Sequence, residues 1–160
     1  MPDFKTLRRC IVAVWAVAAS LALGGAAQAA CELRGQTGDP GQFSYQKGQP
    51  DAVLDAYFPQ QPQCTPRPVI IFAHGGSWRM GDKKNYTHEA QLITRQPGFV
   101  VMSINYPLNG NPQQSSAAMA DAVCWVKANA ARLGVDPAKV ALAGASAGGQ
   151  MAVAGATRAA

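Results

Sequence analysis

Five residues, Gly144-Ala145-Ser146-Ala147-Gly148, constrain what this chain can fold into more than any other stretch. Val140 to Ala143 is a short apolar run, and the residues from Ala147 through Thr157 are rich in alanine and free of proline. The serine therefore falls at the tip of a sharp turn from a strand into a helix. Gly144 and Gly148, two positions to either side, lack a Cβ, so strand and helix can approach while the hydroxyl projects clear of the sheet. The following helix turns unbonded N–H groups and partial positive charge toward that hydroxyl. Other glycine-rich turns are excluded by residue type. A dinucleotide fingerprint needs glycine where Ser146 stands, and a phosphate loop needs a Gly-Lys-Ser/Thr triplet that is absent.

A second motif lies upstream. Val69-Ile70-Ile71-Phe72-Ala73 is a continuous apolar run with β-branched residues, as expected of a strand buried on both faces, and it ends in His74-Gly75-Gly76-Ser77-Trp78. With Phe99 to Ile104 and Val140 to Ala143 it makes three apolar runs separated by segments long enough for crossover helices. Met119, Val123, Val126, Ala130 and Leu133 recur at helical spacing and predict one helix face, stopped by Gly134, with Asp121, Lys127 and Arg132 on the solvated side. Lys84 to Gln96 predicts a more polar helix carrying His88 at the surface. Ala52 to Phe58, ending at Pro59, reads as a strand toward the sheet edge. The order predicts an α/β fold: a parallel-rich sheet with right-handed crossovers and flanking helices.

Three segments together resemble the α/β-hydrolase esterase and lipase group: His74-Gly75-Gly76-Ser77-Trp78 with Gly81, Ile104-Asn105-Tyr106, and Asp136-Pro137 through Val140 to Gly144-Ala145-Ser146-Ala147-Gly148-Gly149. The likeness is to bacterial carboxylesterases with an HGG-type oxyanion loop and runs from about Ala52 to the C-terminus. It implies that Ser146 is a nucleophile and that the N–H of Ala147, with that of Gly75 or Gly76, forms the oxyanion hole. His74 precedes the nucleophile and reads as an orienting or structural residue. Trp78 either lines an acyl pocket or packs under the loop. Ser77 stands where some relatives carry a third glycine, and Pro107 where an arginine is common.

The N-terminus predicts a secretory signal peptide over residues 1–29: Lys5, Arg8 and Arg9, then an uncharged stretch from Ile11 to Leu23, then Ala27-Gln28-Ala29. Thirteen apolar residues are too few to span a bilayer, so no stable membrane anchor is expected, and the location implied is periplasmic or secreted. Removing the leader takes three basic groups and one acid, lowering the net charge from +5 to +3, too mild and scattered for nucleic acid. In an oxidising compartment Cys31 and Cys64 form a candidate disulfide worth about 3 to 4 kcal/mol, with Cys124 expected as a buried free thiol. No spacing matches a metal site, and no cofactor is called for.

Residues 30–160 read as one partial domain. In the family order an acid and then a histidine follow the serine, whereas the 14 residues after Ser146 contain neither. The chain thus reads as the N-terminal half of a serine ester hydrolase, inactive by itself, with a small-molecule or glycan-linked ester as substrate. Two alternatives stay open: a serine peptidase or polysaccharide deacetylase of the same fold, and a catalytically dead secreted binding module.

Overall fold

The computed structural model describes residues 41–61 and 65–159. The predicted leader, Cys31 and Cys64 lie outside these residues. Five strands form one mixed sheet: β1 (Gly41–Ser44), β2 (Val53–Tyr57), β3 (Arg67–Ala73), β4 (Val100–Ile104) and β5 (Val135–Gly144), in the spatial order β1-β2-β4-β3-β5. β3, β4 and β5 are mutually parallel, whereas β2 is antiparallel to β4 and β1 antiparallel to β2. The expected parallel core is present. The strand expected near the edge is instead second from it, because the short β1, with Phe43 as its one large apolar residue, pairs along its outer side.

Alternation along the strands divides the core into two layers. Val69, Ile71 and Ala73 of β3 join Val100, Met102 and Ile104 of β4 on one face. There they meet α2 (Pro112–Ala128), α3 (Ala130–Leu133) and α4 (Ala147–Ala159). Tyr57, Phe72 and Val101 point to the other face, against Ala90 and Ile93 of α1 (Thr87–Thr94), which follows a 3-10 turn over Lys83–Tyr86. Helices thus cover both faces, as continuous apolar strands require.

α2 begins where Asn111 caps it, its side-chain oxygen accepting from the N–H groups of Gln113 and Gln114 at 3.1 and 3.2 Å, with Pro112 at the first helical position. The expected apolar face is buried, but the helix breaks at Asn129. Leu133 belongs to the separate α3, ended by Gly134 in the left-handed conformation (φ 65°). Asp121 and Lys127 are half-buried rather than solvated. The Arg132 guanidinium lies over the rings of Phe43 and Trp125, at 5.2 and 5.6 Å from their centroids. Cys124 is disulfide-bonded, not a free thiol. It is the one cysteine among the described residues. Helical periodicity around Trp125 carries no sign of which thiols tertiary folding brings together.

Candidate active site

The three parallel strands end on one edge of the sheet, and the loops leaving β3, β4 and β5 meet there. At the end of β5, Ser146 takes φ 53°, a left-handed conformation that costs a non-glycine residue roughly 1–2 kcal/mol. The surroundings enforce it. A Cβ on Gly144 or on Gly148 would collide with the backbone carbonyl oxygen of Ala73 at the tip of β3, so these two positions must be bare for the turn to close. Ala147 is buried and opens α4, leaving its N–H without an intrahelical acceptor; the helix then starts through Gly148 N–H to Ala145 O at 2.9 Å and Gln150 N–H to Ser146 O at 3.1 Å. Ser146 itself is exposed, and its hydroxyl makes no hydrogen bond among the described residues.

The loop after β3 lies directly against this turn. A Cβ built on Gly75 would stand 3.0 Å from Ala145 O and 3.5 Å from the Ser146 Cβ, so Gly75 is a backbone neighbour of the serine. Three successive residues, Gly76 (φ 120°), Ser77 (51°) and Trp78 (59°), then turn the chain through positive φ, tied by Arg79 N–H and Met80 N–H to Gly76 O at 2.9 and 3.1 Å. Trp78 is half-buried and packs against the core; its indole Nε1 has no partner among the described residues.

His74 is fully buried, stacked on the Tyr106 ring at 4.3 Å, with Nδ1 2.7 Å from Gly75 O. A carbonyl only accepts, so Nδ1 carries the proton and donates. Burial, the largest influence, holds the imidazole below its ordinary pKa, and Nε2 is buried without a partner among the described residues. The ring is thus a neutral structural element of the loop. His88 is exposed on α1, against the opposite face of the sheet from α4.

Residues after β4 brace the same loop. The Tyr106 hydroxyl donates to His74 O at 2.8 Å, and burial pushes this phenol up to about 12. Asn105 accepts from Lys83 N–H at 2.6 Å and donates to Asp82 at 3.1 Å, while Asp82 caps Lys84 N–H at 2.9 Å. That last bond leads the influences holding the Asp82 carboxyl below its usual range. Beneath them Lys83 Nζ and Asp55 form a buried ion pair at 2.8 Å, and the Ser103 hydroxyl donates to Lys83 O at 2.7 Å. Sequence reading missed this pair. The available signal was Asp55 itself, a lone acid inside the apolar run of β2, whose partner lies 28 residues away.

The described residues therefore bring together Ser146, Ala147, Gly75, Gly76, Gly144, Gly148 and His74. A serine on a strained turn into a helix, next to a glycine loop from the neighbouring parallel strand, defines an α/β-hydrolase. The chain belongs to the BD-FAE family, whose model matches residues 54–160. Carboxylesterase NlhH of Mycobacterium tuberculosis is 36% identical over 88 residues, covering 52% of this chain and 27% of that protein. Esterase LipC of the same species is 31% identical over 111 residues, covering 68% and 28%. The chlorogenic acid esterase of Aspergillus niger is 34% identical over 99 residues, covering 55% and 19%. Among solved structures, esterase 2 of Thermogutta terrifontis superposes with a TM-score of 0.66 at 28% identity, covering 76% of this chain and 44% of that one. The chain spans about a quarter of the length of such curated relatives and less than half of that structure.

Proposed function

We propose that the protein is a serine carboxylic-ester hydrolase acting through an acyl-enzyme, with Ser146 as nucleophile. The observation that carries this reading is Gly75 packed against a positive-φ serine at the start of a helix. Ser146 Oγ attacks the ester carbonyl carbon, and its proton passes to a general base. The carbonyl oxygen, now negative, is held by the N–H of Ala147 and that of Gly75 or Gly76. The alcohol then leaves, and water releases the acid. In support, Thermogutta esterase 2 is known phosphonylated by sarin and with butyrate or propionate bound. Short acyl chains are accordingly the proposed substrates, and location in the periplasm or outside the cell remains part of the same proposal.

Neither histidine of this chain is the base. His74 spends its Nδ1 proton on Gly75 O and is buried, and His88 sits across the sheet. We infer that residues 1–160 alone turn over esters at background rate, since loss of the histidine in a serine hydrolase costs on the order of a millionfold. The test is hydrolysis of p-nitrophenyl butyrate and fluorophosphonate labelling by the full-length gene product. Turnover and labelling that vanish in Ser146→Ala are expected. Labelling that persists in that variant, or none in the native protein, overturns the reading, and the latter favours the binding module. Turnover by residues 1–160 well above background overturns the inference about the base.

A further inference from the structure

We propose that His74 and Tyr106 are positioning residues that aim the oxyanion donors by pinning two successive backbone carbonyls. This rests on the reading of Ser146 and its loop as an acyl-transfer site. A trans peptide is planar, with its C=O and the next residue's N–H pointing in opposite directions. No described peptide bond is cis. The Tyr106 hydroxyl holds His74 O at 2.8 Å, which turns the Gly75 N–H the opposite way. The His74 Nδ1–H holds Gly75 O at 2.7 Å, which likewise sets the direction of the Gly76 N–H. Glycine pairs are the most freely rotating dipeptides a chain offers, so without these two bonds the donors beside Ser146 would sample many directions.

The surroundings fit a device for orientation rather than a packing accident. The imidazole and the phenol are stacked at 4.3 Å, so each fixes the ring that carries the other bond. Gly81, at φ 114°, closes over the pinned pair so tightly that a Cβ there would collide with His74 Nδ1 and approach Gly75 O to 2.7 Å. The other side of the His74 carbonyl is covered by Gly148 of α4, where a Cβ would stand 2.8 Å away. The elbow thus packs on two successive carbonyls at the tip of β3, those of Ala73 and His74. Because Nδ1 is the donor, the device depends on which ring nitrogen carries hydrogen. An asparagine amide can replace Nδ1–H in reach, whereas a glutamine amide reaches toward the Nε2 position.

The experiment uses the full-length gene product with Tyr106→Phe, His74→Asn and His74→Gln. It combines steady-state kinetics on p-nitrophenyl butyrate with the backbone ¹⁵N and ¹³C resonances of residues 74–76. Tyr106→Phe, which keeps the stacking ring, is expected to lower kcat by roughly 10- to 100-fold with KM little changed, a fraction of the loss on removing an oxyanion donor outright. The His74 carbonyl and Gly75 amide resonances should shift together. His74→Asn should retain most of the activity that His74→Gln loses, at equal thermal stability. Unmoved resonances in Tyr106→Phe overturn the pinning whether or not the protein hydrolyses esters. Shifted resonances with unchanged kcat, or equal kcat for the Asn and Gln variants, overturn its catalytic role. A native protein without Ser146-dependent turnover defeats the hydrolase reading instead, and the resonances still decide the pinning.

Discussion

Every residue of β4 is buried, whereas β5 has three consecutive exposed residues, Pro137 to Lys139, and among the described residues pairs with β3 alone. The two loops of the candidate site, after β3 and after β5, differ in the same way. The glycine loop is tied to the β4 side by Tyr106, by Asn105 and by the buried Lys83–Asp55 pair. Among the described residues the serine turn rests on the β3 side, where its glycines meet the Ala73 carbonyl, and Ser146 faces outward. The contrast shows how the two halves of such a site are kept in register: electrostatic bracing fixes the glycine loop, and bare backbone contact fixes the serine turn.

Substitutions can break that contrast, and the largest effect is expected at the contact itself. Gly148→Ala puts a methyl into the Ala73 carbonyl, which only displacement of α4 can relieve; a loss of at least about 3 kcal/mol is expected in urea unfolding. A loss under 1 kcal/mol would mean that the turn is not clamped against β3. Next comes the bracing side. Lys83→Met leaves Asp55 buried without its partner, at a cost of about 3 kcal/mol, and the double variant Lys83→Met with Asp55→Leu should recover most of it. If the double variant is as unstable as the single one, the pair is not the brace described.

A smaller effect of opposite sign is expected at the proposed nucleophile. Ser146→Gly removes the strain of φ 53° and should raise stability by about 1 kcal/mol while abolishing turnover of the full-length protein. Unchanged or lower stability would show that the turn is unstrained. The smallest effect is expected on the outer surface of α4, where Val153 is 70% exposed: Val153→Lys should change the stability of residues 1–160 by less than about 0.5 kcal/mol. If the same substitution in the full-length gene product costs several times more, further chain covers this flank there.

Much of this was readable beforehand. Val69 to Ala73 and Phe99 to Ile104 announced buried parallel strands because both of their faces are apolar, and the glycine spacing around Ser146 announced a turn that only bare backbone permits. β1 escaped notice because Gly41-Gln42-Phe43-Ser44 has little pattern of its own and is recruited by β2. The first half of β5 was hidden too, since Pro137-Ala138-Lys139 is exposed and carries no alternation. The break at Asn129 was obscured because the apolar spacing runs on through it from α2 into α3.

The sequence by itself determined the parts whose physics is local: the apolar strands, the apolar face of helix α2, the serine turn and the glycine loop that identify the family. Tertiary structure alone decided that Tyr106 holds the carbonyl of His74, 32 residues earlier, that Lys83 neutralises Asp55, and that Cys124 is bonded. These are pairings between residues far apart in the chain, each ordinary in its own neighbourhood. They acquire meaning only when parallel strands carry their loops to the same end of the sheet, where a buried polar group must find a partner or pay its desolvation in full.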